Sequence, residues 1–366
     1  MSVLAVLQAI AVLAILILVH ELGHFLAARG QGIHVNRFSI GFGPILWKYK
    51  GKETEYALRA LPLGGFVGFP DDDPESSYPP NDPNLLSNRP VLDRAIVISA
   101  GVIANLIFAY FLLVVQLGLI GTPDFIAKPG VLVPQVVAEV NSVANQAGIQ
   151  SGDLVLAVNG QKIDGSPQGI ETLREFIQTH PQQEISLTIQ RGESTSETKL
   201  TPTLNAEGKG QIGVQLSPNG EVVRRKIGNI FQVFSQAAEE FQKITILTVQ
   251  GFGQLISNFQ ETANKVSGPV AIVAIGADIA KSDVTNLFQF AILISINLAV
   301  INILPLPALD GGQLAFLLIE GLRGKPLPTK IQDGVMQTGL MLLLGLGIFL
   351  ILRDTANLLG IEKFFQ

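Results

Sequence analysis

An apolar run, residues 3–19, leads directly into residues 20–24, which read HELGH. A run of this length predicts a membrane-spanning helix, and ionisable groups on such a helix are unfavourable enough to indicate a function. Positions i and i+4 share one helix face, so His20 and His24 can both bind one metal ion. Glu21 is then the candidate general base for a metal-bound water. In the alternative interpretation, all three are ordinary polar residues beyond the membrane boundary.

Two histidines leave a zinc site incomplete, because a catalytic zinc normally takes three protein ligands and keeps one position for water. The missing ligand must therefore come from another part of the chain. Asp310 is the best candidate, since it is a lone acidic residue that follows a long apolar stretch and lies among helix-breaking residues.

At these positions the sequence resembles the site-2 protease family, zinc peptidases that cut inside the membrane. The first family motif matches His20, Glu21 and His24, and the second matches residues 309–311. Three further segments are similar to family segments, namely residues 41–44, 100–105 and 267–272. In the second of these, Val102 replaces the proline that the family usually has there.

The resemblance implies a Zn²⁺ cofactor held by His20, His24 and Asp310, with Glu21 as the base. It also suggests that Asn302 hydrogen-bonds the substrate backbone, although a structural bond to a neighbouring helix would explain this residue equally well. Asn105, an amide inside a predicted span, is interpreted as a helix-to-helix hydrogen bond.

Composition agrees with a polytopic membrane protein. The 366 residues are 48% hydrophobic and 15% charged, and the mean hydropathy is +0.40. Apolar runs predict four transmembrane helices, at residues 3–28, 91–120, 287–304 and 339–352. The net charge of −5 argues against nucleic acid as a partner. The absence of cysteine excludes disulfides, thiolate metal ligands and a cysteine nucleophile.

Residues 58–69 are apolar but too short to span a bilayer, and their glycines and prolines disfavour a helix. We expect a membrane-associated β-hairpin here. Its exposed edge, around Gly64 and Gly65, would either hold an extended substrate by main-chain hydrogen bonds or simply plug one side of the protein.

Between the second and third spans the sequence alternates like that of a small α+β domain, and residues 145–160 resemble the PDZ signature. Such a domain would either bind an extended peptide or act as a stabilising lid. The predicted organisation is then a peptidase core at residues 1–120 and 284–366, the PDZ-like domain at 129–216, and an amphipathic interfacial helix within 228–265. In that helix, a stripe formed by Phe231, Phe234, Ala238 and Phe241 is expected to lie at the outer membrane interface and to brace the PDZ-like domain.

Basic residues set the predicted orientation. They cluster between the first two spans and between the last two, whereas none precedes Arg29. Both clusters should be cytosolic, which puts the metal site near the cytosolic face of the cell's inner (plasma) membrane. Partners implied by the resemblance are the lipid bilayer and single-span membrane proteins such as anti-sigma factors.

Two alternatives belong to other functional classes. A catalytically silent PDZ scaffold would tolerate loss of Glu21, yet Glu21 and all three candidate ligands are present. A metal transporter would need ionisable residues spread over several helices, and the cores of the third and fourth predicted spans have none.

Overall fold

The computed structural model describes residues 2–73, 76–136, 143–205, 208–262, 266–282 and 285–359. Residues 263–265 and 360–366, at the ends of two predicted segments, lie outside the described residues. The chain divides into two compact units. The first consists of Met1–Ile120 and Ile227–Gln366, and the second of Gly121–Lys226.

In chain order, the helices are α1 (Val3–Gly30), α2 (Val91–Leu119), α3 (Val143–Gln146), α4 (Pro167–Thr179), α5 (Ile230–Ser257), α6 (Phe259–Thr262), α7 (Pro269–Ser282), α8 (Asn286–Ile303), α9 (Asp310–Arg323) and α10 (Thr329–Leu358). The strands are β1 (Arg37–Lys50), β2 (Glu55–Gly68), β3 (Thr122–Ala127), β4 (Val131–Val136), β5 (Leu154–Val158), β6 (Gln161–Lys162), β7 (Ile185–Arg191), β8 (Ser194–Leu200), β9 (Thr203–Leu204), β10 (Gly210–Gln211), β11 (Val214–Ser217) and β12 (Gly220–Arg225).

Four helices of the first unit, α1, α2, α8 and α10, are long and apolar enough to cross a membrane. They coincide with the four predicted apolar segments, although α10 begins ten residues earlier than expected. Tight packing of α1 against α2 depends on small residues. A Cβ atom added to Gly23 of α1 would lie 2.4 Å from the carbonyl oxygen of Ala100. Membrane helices commonly use such small residues to approach closely.

The third apolar helix, α8, ends at Ile303, within one residue of the predicted boundary at 304. Asp310, which the predicted orientation put near the cytosolic end of that helix, instead begins the separate helix α9. Two prolines, Pro305 and Pro307, explain the break, because each lacks a backbone N–H and disfavours the helical conformation in the residue before it. The break also contains Ala308 in the left-handed region, with φ of 68°.

In place of the predicted β-hairpin, β1 and β2 form a small sheet in which one part of β1 pairs with two separate parts of β2. Residues 37–40 of β1 pair in parallel with residues 55–58 and, in the opposite direction, with residues 65–68 of β2. Residues 45–50 pair antiparallel with residues 55–59. Long-range pairing of this kind requires each strand to bend back, and the positive φ angles of Gly41, Gly43 and Gly64 allow it.

Helix α5 packs against the other helices through residues outside the predicted aromatic stripe. Val233 and Ala237 are buried in a cluster with residues of α2 and α8. In contrast, Phe231 is 80% and Phe234 is 46% exposed. Phe241 lies at the margin of the cluster. Phe231 and Phe234 are thus left exposed, as a stripe at the membrane interface requires, and their contact with lipid stays a prediction.

The second unit is an α+β unit around a six-stranded sheet with the order β11-β4-β5-β7-β8, in which β6 pairs with β5. Its core contains the buried side chains of Val131, Leu173 and Leu187, which belong to β4, α4 and β7. The unit extends beyond the predicted 129–216 because β3 and β12 pair as a flanking ribbon. Helix α4 of this unit begins after the N-cap residue Ser166, whose side chain accepts a hydrogen bond from the Gly169 backbone N–H.

An ion pair stabilises this second unit. The Asp153 carboxylate is almost fully buried and accepts hydrogen bonds from Arg191 Nε at 2.7 Å and Nη2 at 2.8 Å, and from the Gln150 backbone N–H at 2.8 Å. The Arg191 guanidinium is the main reason that the pKa of Asp153 is lowered, although burial opposes it. The pair therefore stabilises the folded state above the unfolded pKa of about 3.9, and this contribution is lost as pH falls through the folded value.

We expect Arg191→Gln to lower the thermal unfolding temperature at pH 7, with the difference from wild type narrowing as the pH falls below about 4. Thermal unfolding followed by circular dichroism across pH would measure it. Lys199→Gln is the control, because it breaks an exposed pair with Glu184 and should have little effect. A difference between Arg191→Gln and wild type that stays constant with pH would contradict the expectation.

Candidate metal centre

Helix α1 brings the two histidines together. His20 and His24 are one helical turn apart, and their Nε2 atoms are 3.3 Å from each other. His20 is only 8% exposed, as is Glu21 between the two histidines. The sequence expectation that both imidazoles share one face of a helix is thus met in the structure.

Asp310 reaches the same point from helix α9. Its Oδ2 atom lies 3.3 Å from His20 Nε2 and 3.4 Å from His24 Nε2. The close approach depends on the two following glycines. A Cβ atom on Gly311 would lie 2.1 Å from the carbonyl oxygen of Leu304, and one on Gly312 would lie 2.4 Å from that of Leu306. Glycine therefore lets the first turn of α9 pack against the preceding backbone.

The geometry fits a tetrahedral metal. With zinc-to-ligand bonds of about 2.0–2.1 Å, neighbouring ligand atoms in a tetrahedron are about 3.3–3.4 Å apart. The three measured separations agree with this value. In addition, Asp310 Oδ2 is buried and receives no hydrogen bond from the described residues. A buried carboxylate oxygen without a donor, placed between two imidazole nitrogens, has the chemistry of a metal ligand.

Three residues on one face of helix α2 contact the two histidine rings, namely Val97, Gly101 and Asn105. His24 Nδ1 lies 2.8 Å from the carbonyl oxygen of Val97. Asn105, fully buried, approaches His20 Nδ1 at 3.3 Å. Gly101 lies under both rings, because an added Cβ atom would lie 2.3 Å from His24 Nε2. These contacts direct both Nε2 atoms towards Asp310.

The contacts also define the tautomers. A histidine that binds metal through Nε2 carries its proton on Nδ1 and usually donates it to an acceptor. The Val97 carbonyl is that acceptor for His24. For His20 the nearest Asn105 atom is Nδ2, at 3.3 Å. A rotation of the amide about the Cβ–Cγ bond would instead present Oδ1, which is buried without a partner among the described residues, as the acceptor. Ser295 Oγ in turn donates a hydrogen bond of 2.8 Å to the backbone oxygen of Asn105.

The small sheet contacts the same centre through Gly65. A Cβ atom there would lie 2.7 Å from Cγ of Glu21 and 2.9 Å from the carbonyl oxygen of Ser39. Only glycine therefore lets β2 approach Glu21 so closely. Gly64 differs, since its neighbour is the ring of Phe42, 2.3 Å from a hypothetical Cβ.

Asn302 lies beside the metal ligands near the end of α8. Its Nδ2 atom is 3.4 Å from His20 Nε2. In the structure, Asn302, Glu21 and Gly65 thus lie beside the three candidate ligands. Gly64, which precedes Gly65 in the sequence, contacts Phe42 instead. Sequence reasoning missed the contribution of Gly101 and the histidine partner of Asn105. The spacing of Val97, Gly101 and Asn105 at i, i+4 and i+8 was the signal that could have revealed their common face.

The chain is similar to known proteins over most of its length. The sequence pattern described as Peptidase family M50 matches residues 8–346. A protein of Nostoc sp. named as a zinc metalloprotease is 62% identical and covers 99% of this chain and 100% of its own length. The chloroplastic membrane metalloprotease ARASP of Arabidopsis thaliana is 50% identical, covering 97% of this chain and 79% of its own length.

A more distant relative is the regulator of sigma-E protease RseP of Salmonella typhimurium, 30% identical over 92% of this chain and 96% of its own length. Among solved structures, the PDZ domain of an SdrC-like protein from Listeria monocytogenes is 17% identical, with a TM-score of 0.22, and covers 25% of this chain and 90% of that domain. From the match to residues 8–346 and the identity of the relatives, this chain belongs to peptidase family M50, the site-2 protease family, and is a zinc metalloprotease.

Proposed function

We propose that this chain hydrolyses peptide bonds within or next to the transmembrane segments of single-span membrane proteins. One observation carries the proposal. His20, His24 and Asp310 converge to within 3.4 Å at a helix, α1, whose length and apolar composition suit a bilayer. A hydrolytic centre on such a helix is reached most directly by a substrate that lies in the bilayer itself.

In this proposal, His20, His24 and Asp310 are the zinc ligands. Zinc bound there would supply a Lewis acid that polarises the scissile carbonyl and lowers the pKa of a water to near 7. The protein's part is to hold the three ligands in place, through the α2 contacts to both imidazoles and the glycine-rich first turn of α9.

Glu21 acts as the general base. It accepts a proton from the attacking water and returns it to the leaving amine. Because Glu21 is buried beneath Gly65, bulk water is largely kept from its carboxylate. Asn302, next to His20 Nε2, is placed to donate its amide N–H to the substrate carbonyl or backbone.

Residues 65–68 of β2 form the substrate-binding edge, beginning at Gly64 and Gly65. On one side they pair with residues 37–40, and among the described residues they have no strand partner on the other. A substrate strand added there would lie beside Glu21. Main-chain hydrogen bonds of this kind hold an unwound, extended segment, which a peptidase requires in order to reach the scissile bond.

The cellular setting is also part of the proposal. The protein is a multi-pass component of the inner (plasma) membrane, with the metal centre near the cytosolic face, as the distribution of basic residues supports. Its substrates include regulators such as anti-sigma factors, a class suggested by the name of the Salmonella relative. The PDZ-like unit would bind or exclude the part of a substrate outside the membrane.

The test is cleavage of a single-span substrate by the purified protein in liposomes, with the cut position determined by mass spectrometry. We expect the cut to lie within the apolar segment or a few residues from it, and to require zinc. The same peptide sequence in soluble form, without its apolar segment, is the control. Cleavage of only the soluble form would show that the protein is not an intramembrane protease.

The silent-scaffold alternative is not supported. A scaffold would have no requirement for three ligands at metal-binding distance beside a buried glutamate, yet this chain has the complete arrangement. Family membership among zinc metalloproteases points in the same direction.

A further inference from the structure

Helix α9, which carries Asp310, buries Leu317 on its apolar face and makes two further attachments to its unit. At the first turn, Gly311 and Gly312 lie against the backbone that follows α8. Eight residues after Gly312, Glu320 forms an ion pair with Arg94 of helix α2. At a rise of 1.5 Å per residue, the two attachments are about 12–14 Å apart.

The ion pair is shielded from water, with the Arg94 and Glu320 side chains 17% and 13% exposed. Arg94 Nε is buried and makes no hydrogen bond to a described residue, so Glu320 is the main partner of this charge. Within the described part of the chain, no other ion pair joins α9 to another element, apart from the contacts of Asp310 with the histidines. Pairs shielded in this way interact more strongly than exposed ones.

Helix α2 is therefore a common frame for all three candidate ligands. Through Val97, Gly101 and Asn105 it fixes both imidazoles. Through Arg94, seven residues or about 10 Å before Gly101, it holds the far end of α9. Without that second attachment, α9 would be held only by its first turn and by apolar packing such as that of the buried Leu317, and we expect Asp310 to be displaced.

We propose that Arg94 and Glu320 are positioning residues for the metal. Their ion pair fixes α9 against α2 and so keeps Asp310 Oδ2 at bonding separation from His20 and His24. The requirement is strict, since metal-to-ligand distances tolerate deviations of only about 0.2 Å. This inference rests on the proposed function, in which Asp310 is the third ligand.

Zinc affinity of the purified full-length protein, measured by competition with a chelator, tests the inference. Arg94→Gln and Glu320→Gln should each lower the affinity by about 10-fold or more, as loss of groups that support metal ligands does. The charge-exchanged variant Arg94→Glu with Glu320→Arg should recover part of this loss, and Arg94→Lys should lose less than Arg94→Gln. Arg29→Gln is the matched control and should bind zinc normally. Arg29 lies only five residues after His24, and this variant breaks its exposed ion pair with Glu53.

Thermal unfolding with and without zinc separates positioning from plain stabilisation. If the pair only stabilised the fold, the variants would unfold earlier but keep the full increase in unfolding temperature on adding zinc. Positioning predicts a smaller increase, because ligand stabilisation depends on its affinity for the native state. Normal zinc affinity or a full zinc-dependent increase in Arg94→Gln and Glu320→Gln would overturn the inference.

The variant Asp310→Ala distinguishes a wrong positioning inference from a wrong assignment of the third zinc ligand. If Asp310→Ala loses zinc while the Arg94 and Glu320 variants keep it, only the positioning inference is wrong. If Asp310→Ala binds zinc like the wild type, the third ligand has been misassigned and both proposals fail.

Discussion

Glu21→Gln is expected to bind zinc like the wild type and to hydrolyse peptide bonds about 10²–10⁴-fold more slowly. Metal binding should persist because none of the three candidate ligands is lost. Hydrolysis should fall because glutamine has nearly the same shape as glutamate but cannot accept the proton of the attacking water. Zinc content by elemental analysis, measured together with the cleavage rate of a single-span substrate, provides both readouts.

The control for this prediction is Glu53→Gln. It makes the same chemical change at an exposed glutamate that pairs with Arg29 and lies outside the centre. Its cleavage rate should equal that of the wild type. Wild-type cleavage by Glu21→Gln itself would mean that another group removes the proton.

Gly101→Ala is expected to reduce zinc affinity by more than about 100-fold. The added Cβ atom would lie 2.3 Å from His24 Nε2 and 2.8 Å from Cε1 of His20, so both rings would have to move. Loss of a group that merely supports a ligand lowers metal affinity about 10–100-fold, and displacement of the ligands themselves should have a greater effect. Chelator competition measures the affinity.

Gly118→Ala on the same helix is the matched control. Its Cβ atom would lie 3.8 Å from Val233 Cγ1, an ordinary contact, so zinc affinity should be unchanged. Unfolding temperatures in the absence of zinc would establish that both variants fold. An unaltered affinity in Gly101→Ala would show that the histidines bind metal in a different arrangement from the one described.

The candidate ligands could be predicted from the sequence because each depends on local chemistry. Helical pitch alone puts His20 and His24 on one face, and the lone acid Asp310 is unusual after an apolar run. The predicted spans agree with α1, α2, α8 and α10 for a similarly local reason, the length of apolar stretches.

Features that depend on contacts between distant segments could not be predicted in the same way. Asn105 was expected to bond another helix, but only the packing of α1 on α2 identifies His20 as its partner. The helix-breaking residues around Asp310 are evident in the sequence, but hydropathy alone does not reveal that Asp310 begins a separate helix, α9. In β1 and β2, the register depends on tertiary pairing, which leaves little trace in the order of residue types.

The origin of the three ligands from opposite ends of the chain has a consequence for biosynthesis. The histidines are near the N-terminus, whereas α9 is made after almost all other elements, including the whole second unit. Contacts between residues so distant in sequence form late in folding. A ribosome-bound chain therefore carries the first motif without Asp310 until α9 has been made. Under the proposed ligand assignment, newly made protein stays inactive until then.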